Sequence, residues 1–496
     1  MTTPETDIHT PAWVHDAVFY QIFPDRFAKS DTLEKPAHLE PWDSDPTDFG
    51  YKGGDLIGVL ERLDYLQELG VTALYFNPIF QSASNHRYHT HDYYQVDPLL
   101  GGNDAFDRLL TACHERGLKV VLDGVFNHAS RGFFQFNDIL ENGAASPWLD
   151  WFEFNEHPAN AYDHNQLPGY RAWVGLHALP AFNTDDAQVR EYIMRIGEYW
   201  IRKGIDGWRL DVPMEIRTPG FWAEFRARVR AINPDAYLVG EIWEDAREWL
   251  QGDQFDATMN YLFTGPALAF AGRHRVDEAT VAGRAYEPYP GISGTEYRDR
   301  IDRLLSLYEW PIQLAQLNLL DSHDTSRALS VLGGDVRSLG LASLLLFTYP
   351  GAPSIYYGSE IGLDGAAPGD RWARKSFPWN DPENWNHDLL AMTKALIALR
   401  KVHRALRTGA YDAVAATDGS YVFVRRSGDA RLLVALNTGV SAETIDLDPS
   451  GILADASGVR ELFTVGEAAS VRIGVDGIRL ELRPRSGSVL ALTSPD

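Results

Sequence analysis

Three carboxylates carry the chemistry in this chain. Asp211 lies in GIDGWRLDV, Glu241 in AYLVGEIW and Asp324 in LNLLDSHD. Each closes a short apolar run that reads as a buried strand, so each acid falls where a strand gives way to a loop. Charge burial is costly. Acids repeated at such places therefore argue for use rather than for stability. Arg209 and Asp211, two apart on one strand, point to the same face. The guanidinium is expected to keep Asp211 ionised, a nucleophile rather than a proton donor. Glu241 sits among Val239, Gly240, Ile242 and Trp243. That apolar surround is expected to raise its pKa and keep its proton. One charged and one protonated carboxylate is the pairing a retaining glycosidase needs. Asp324 follows His323 directly, a pair able to grip sugar hydroxyls and steady positive charge at the anomeric carbon. DGVFNH adds Asp123, Asn127 and His128. His128 is placed to reach a hydroxyl of the reacting sugar, and Asp123 reads as a buried acid bonded to Arg209.

The elements that must position these groups alternate. Candidate strands are 17–24, 71–80, 118–128, 205–212, 236–243, 255–261, 314–321 and 352–358, eight in all. Helical runs lie between most of them. Ile57, Leu60, Leu63 and Leu66 recur at helical spacing before Gly70, and another run opens at Asn103 and stops at Gly117. Strand–helix alternation repeated about eight times favours a (β/α)8 barrel, whose active sites collect at the strand C-termini. An open doubly wound sheet is the alternative on pattern alone. From 127 to about 185 the chain is rich in Trp, Phe, Asn, His, Pro and Gly without a helical period. A stretch of that length reads as a small inserted subdomain (128–184) walling one side of a cleft. After about residue 405 short alternating strands broken by Gly, Pro and Asp predict an antiparallel β-sandwich. The expected division is thus a catalytic barrel over 1–405 and a sandwich over 406–496.

Composition narrows the partners. Among 496 residues the net charge is −24, which repels phosphate backbones and argues against nucleic acid. Hydrophobic residues are 45%, enough for a large core and against long disorder. Among 14 Trp and 22 Tyr, most fill the core, and several are expected to line a groove where flat rings stack on sugar faces. Cys113 is the only cysteine, no run is long enough to span a membrane, and MTTPETDIHT has no signal-peptide pattern, so a cytoplasmic location is expected.

DGVFNH, GWRLDV, GEIW and LDSHD, in this order on different strands, resemble the four signature segments of the α-amylase superfamily, glycoside hydrolase family 13. The likeness extends to FYQIFPDRF, GGDLIGVLERLDYLQELG, SASNHRY and GAPSIYYGSE. It is strongest to the cyclomaltodextrinase, neopullulanase and maltogenic amylase branch, with LPAFN (179–183) at the place of that branch's MPKLN. The resemblance implies Asp211 as nucleophile, Glu241 as acid/base and Asp324 as transition-state stabiliser. It implies Arg209, His128 and His323 as ligands of the reacting sugar, Tyr88 stacking beneath it, and Asp370 and Arg374 near the next sugar. Trp243 is placed on the leaving-group side.

Three departures from the branch's pattern shape the remaining expectations. The first strand starts near residue 17, so the N-terminal β-domain usual in the branch is not expected, and a homodimer would not form through it. DRFAKSDTLEKP lacks the Asn- and Asp-rich calcium-binding stretch, and Asp25, Asp31 and Asp55 are too few for a site needing six to eight oxygens. No cofactor is therefore required and no calcium is expected. The usual DVANE is DVPME here (Pro213, Met214, Glu215), and Trp243 is followed by Glu244 rather than His. Those positions are expected to face the leaving group. The implied activity is retaining hydrolysis of cyclic or short malto-oligosaccharides at α-1,4 or α-1,6 bonds, a cyclic maltosyl-maltose included. A glucan transglycosylase or isomerase on the same site, and an inactive amylase-like binding protein, are the alternatives.

Overall fold

The computed structural model describes residues 8–155, 159–281, 285–366, 370–448, 450–474 and 477–494. Its first strands are β1 (Phe19–Ile22), β2 (Ala73–Phe76), the hairpin pair β3 (Phe80–Ser82) and β4 (Thr90–Val96), and β5 (Lys119–Gly124). Next come β6 (Gly207–Leu210), β7 (Tyr237–Gly240), β8 (Ala257–Thr258), β9 (Leu317–Asn318) and β10 (Ala352–Tyr356). Strands β1, β2 and β5–β10 form one parallel sheet in the order β8-β7-β6-β5-β2-β1-β10-β9. A parallel bridge from Met259 to Leu317 joins its two ends, so the sheet closes into an eight-stranded barrel. The (β/α)8 expectation holds. The barrel strands are buried on both faces, which is why they read as continuous apolar runs rather than alternating ones.

Several strands are shorter than the sequence suggested. The seventh, expected over 314–321, is Leu317–Asn318, because Trp310–Ala315 is helical with Pro311 in its first turn. Side-chain amides replace ladder bonds there. Asn260 Nδ2 donates to Asn318 Oδ1 at 2.8 Å, Asn318 Nδ2 to the Pro350 carbonyl at 2.8 Å, and Thr258 Oγ1 to Gln316 Oε1 at 3.0 Å. Buried amides of this kind look polar in the sequence and blur the strand pattern. The second run, 71–80, divides at Phe76, and its end enters the β3–β4 hairpin.

The excursion after β5 contains a helix, Phe134–Asn142, which its composition did not suggest. Only Phe136 and Ile139 are buried on that helix, too short a stripe to show a period. Isolated bridges His128–Ala181, Phe152–Phe182 and Ala172–Pro180 fold the segment back on itself. Phe133, Phe136, Phe152 and Phe182 pack together beneath it.

A helix continues to Thr408, after which eight strands follow: β11 (Ala410–Ala416), β12 (Ser420–Ser427), β13 (Ala430–Asn437), β14 (Glu443–Leu447), β15 (Gly458–Val465), β16 (Ser470–Gly474), β17 (Gly477–Leu482) and β18 (Ser486–Thr493). They make a five-stranded sheet, β11-β12-β13-β18-β15, and a three-stranded sheet, β14-β17-β16. Period-two alternation sets the two faces of β12. Tyr421 and Phe423 join the barrel's core, whereas Val422 and Val424 face Leu480 and Leu482 in a second core between the sheets.

Candidate active site

The barrel's C-terminal mouth gathers the acids. Asp211 follows the end of β6, Glu241 follows β7, and Asp324 lies on the loop after β9. All three line one cavity of about 580 Å3, with Tyr88, His128, Trp243 and Arg374. Between the carboxylates lies Arg209, on β6 and fully buried. Its Nη1 is 2.8 Å from Asp123 Oδ1 and 2.9 Å from Asp211 Oδ1, and its Nη2 is 2.9 Å from Glu241 Oε1. One guanidinium thus serves three carboxylates. Asp123 Oδ2 also accepts from Tyr75 and Tyr88 hydroxyls, each at 2.8 Å.

This sharing works against the expectation that Arg209 keeps Asp211 ionised. Burial pushes the Asp211 carboxyl well above the usual range, Arg209 opposes it, and Glu241 and Asp123 add to the rise. Burial also raises Glu241, again against Arg209. Two buried acids sharing one cation titrate as a pair and favour a state with one proton between them. Asp324 differs. Burial pushes it up, but the adjacent His323 and Arg374 outweigh that and hold it well below the ordinary range. His323 Nε2 lies 2.9 Å from Asp324 Oδ2, and Arg374 Nη2 lies 3.2 Å from Asp324 Oδ1. Gln21 Nε2 faces His323 Nδ1 at 2.9 Å, which leaves the ring proton on Nε2, toward Asp324 and the Tyr88 hydroxyl.

Tyr88 stacks on His323 with centroids 5.4 Å apart and planes 7° from parallel. His128 is buried, and its Nε2 has no hydrogen-bond partner. Burial pulls its pKa down to about 3, so a neutral imidazole nitrogen is available at the cavity wall. Arg374 reaches the His323 carbonyl as well as Asp324, so it positions that pair while lining the cavity. Asp370 opens a short 3-10 turn with Arg374, and its side chain lies outside the described residues.

Sequence reasoning missed Val212. Its φ of 34° and ψ of 52° place a β-branched residue in the left-handed region, a strained conformation. The strain aims the Val212 N–H at Glu241 Oε2, 3.2 Å away. No sequence signal could have found it, because Pro213 steers a preceding residue toward extended backbone instead. Trp243 Nε1 also donates to Glu241, at Oε1 and 3.3 Å, and its ring lies flat on Tyr261 at 3.6 Å. Trp173, Leu176 and Leu179 of the excursion complete the wall. Pro213, Met214, Glu215 and Glu244 are not among the lining residues, contrary to their expected place beside the leaving group.

The loop before Asp55 does not fit a divalent cation. Asp25 accepts from Arg26 Nε at 2.7 Å and from the Lys52 N–H at 2.9 Å. Asp55 is paired with Lys35 at 2.8 Å. The fully buried Lys52 ammonium donates to the Pro41 and Ser44 carbonyls at 2.9 and 2.7 Å and to Ser44 Oγ at 2.6 Å, with Glu40 at 3.3 Å. The oxygens a cation would need already surround a lysine. Among the described residues no group of three His, Cys, Asp or Glu could hold a metal, and no helix is long and apolar enough to cross a membrane.

A family model described as alpha amylase, catalytic domain, matches residues 21–386. The Nostoc punctiforme debranching enzyme is 52% identical, with a TM-score of 0.89 over 98% of this chain and 100% of that one. The Arthrobacter globiformis cyclic α-maltosyl-(1→6)-maltose hydrolase is 37% identical, with a TM-score of 0.85 over 98% of this chain and 100% of its own. A Bacillus cyclomaltodextrinase is 43% identical over 441 residues, 88% of this chain and 75% of that protein. With its barrel, its mouth of carboxylates and these relatives, the chain belongs to the alpha-amylase family of glycoside hydrolases.

Proposed function

We propose that the protein is a retaining hydrolase of cyclic and short malto-oligosaccharides, acting on α-1,4 and α-1,6 bonds. The observation that carries this reading is the Arg209 fork, which holds Asp211 and Glu241 on adjacent strands at one cavity wall. Glu241, whose carboxyl is pushed up by burial, gives its proton to the glycosidic oxygen. Asp211 attacks the anomeric carbon and forms a glycosyl-enzyme. Glu241, now a carboxylate, takes a proton from water, which then releases the sugar with its α configuration. The ionised state of Asp211 is the reactive one. Asp324, held ionised by His323 and Arg374, faces the positive charge that develops at the anomeric carbon. His128 holds a hydroxyl of the reacting sugar, His323 positions Asp324 and Tyr88, Tyr88 supplies the sugar's platform, and Trp243 supports the leaving-group side.

The relatives are named a cyclomaltodextrinase, a debranching enzyme and a hydrolase of cyclic maltosyl-(1→6)-maltose, which supports both linkages. The 31–55 loop supports a protein that needs no calcium there, because Lys35 and Lys52 supply its positive charge. The lone, buried Cys113 fits a cytoplasmic location. The test is a product profile on cyclodextrin, pullulan, starch and cyclic maltosyl-maltose, with NMR of the newly released anomer. Release of the α-anomer from the small substrates is expected. Release of the β-anomer, or a clear preference for starch, would overturn the reading.

A further inference from the structure

Beside the catalytic cavity lies a second one of about 380 Å3. His86 and His89 line both and so form a common wall. The rest of the second pocket comes from the 31–55 loop (Phe49), the β3–β4 turn (Ser84, Asn85), β4 (His91) and the excursion (Arg131, Asn137, Tyr162). None of these residues has a part in the mechanism above.

Its lining suits a polyol: three imidazoles and an amide lie with one carboxylate, Asp48, which pairs with Arg371 at 3.2 Å, and one guanidinium, Arg131. Burial lowers the pKa of His86, His89 and His91, that of His89 to about 4. Each ring is therefore neutral at physiological pH, with one donor and one acceptor nitrogen, of which His86 uses Nδ1 to accept from the Tyr88 N–H; such pairs match vicinal hydroxyls. Among the described residues the ring nitrogens of His89 and His91 and the Asn137 side-chain amide make no hydrogen bond to protein. The Gly132 backbone passes close to the His91 ring: a Cβ there would lie 2.5 Å from it, so only glycine fits without a shift. Two large apolar side chains stand open at the rim: Phe49 is 90% exposed and Tyr162 is 66% exposed. The Arg131 guanidinium lies 4.6 Å from the Tyr162 ring centroid and donates to the Ala161 carbonyl, which fixes this platform. Flat rings above neutral hydrogen-bonding groups suit a sugar face. A net charge of −24 disfavours an anionic ligand. The volume lies within the roughly 300–1,000 Å3 typical of ligand sites.

We propose that this second pocket binds a further α-glucosyl segment of the glucan whose scissile bond lies in the catalytic cavity. It thereby selects long or branched malto-oligosaccharides over the shortest ones. The proposal rests on the functional reading above and adds a determinant of chain length to it. The test uses Phe49→Ala with His91→Ala, and Phe49→Ala alone should the double variant fail to fold. In the active enzyme, kcat/KM for maltoheptaose is expected to fall about tenfold, the loss of one or two good contacts. For maltotriose it should stay within about twofold, since that substrate ends in the catalytic cavity. In a Glu241→Gln background, calorimetry should show maltoheptaose binding weakened by the same factor. Equal changes on both substrates, or no change on either, would overturn the proposal. Should the unmodified enzyme hydrolyse no α-glucan, the functional reading fails, and the calorimetric arm still decides whether the pocket binds sugar.

Discussion

The two ends of the barrel hold their acids in opposite ways. At the bottom, Asp206 precedes β6 and Asp256 precedes β8. Asp206 meets Lys119 at 2.8 Å, His114 at 3.0 Å and the Val120 N–H at 2.9 Å. Asp256 meets Arg226 at 2.8 Å, Arg230 at 2.7 Å and the Leu238 N–H at 2.8 Å. Each bottom carboxylate has two basic neighbours and a backbone donor. At the top, one guanidinium answers Asp123, Asp211 and Glu241 together. The bottom acids are satisfied and join strand to helix. The top acids are deliberately short of cations, and that shortage is what leaves a proton for chemistry.

The contrast can be broken most decisively at Asp211. Asp211→Asn is expected to lower kcat/KM by about 10^4-fold or more while the thermal midpoint at neutral pH does not fall. Substantial residual hydrolysis would remove Asp211 from the chemistry. At the other end, Asp256→Ala leaves two arginines unpaired and should cost about 3–5 kcal/mol of stability. Activity per folded molecule should be unchanged, as urea titration with active-site counting would show. A smaller loss, about 1–3 kcal/mol, is expected for Lys52→Met, which strips the buried donor from the Pro41 and Ser44 carbonyls, outside the lining of the catalytic cavity. Chemical denaturation measures it.

The smallest effect separates acids within the top itself. Glu241 is raised in the fold, so its wild-type contribution is present below the unfolded carboxylate pKa and lost as pH rises through the folded value. Glu241→Gln should therefore raise the thermal midpoint near neutral pH and lose that advantage in acid. Asp324 is lowered, so its contribution is present above the unfolded pKa and lost as pH falls through the folded value. Asp324→Asn should lower the midpoint near neutral pH and converge with wild type in acid. Scanning calorimetry across pH that gave both variants the same sign would erase the distinction.

Much of this was legible in the sequence because it depends on short-range pattern. Strand-end acids, the two-residue offset of Arg209 from Asp211, and eight apolar runs announced a barrel with a carboxylate mouth. What stayed hidden depends on contacts between distant segments. The threefold duty of Arg209 needs β5, β6 and β7 side by side. The buried amides of Asn318 and Gln316 look like breaks in a strand until their partners are known. Val212 runs against its own local signal, since the proline after it argues for extended backbone. Met214, Glu215 and Glu244 looked important from their places beside the acids, yet adjacency in sequence did not bring them into the cavity.

The Lys52 ammonium has a consequence of its own. An ion taken up from solution stabilises a fold only as the logarithm of its free concentration, and it leaves on dilution or in the presence of a chelator. A cation tethered to the chain has no dissociation constant. Its cage of Pro41, Ser44 and Glu40 oxygens is filled once per molecule at any dilution. The loop that carries Phe49 to the second pocket is thus anchored by covalent attachment rather than by mass action.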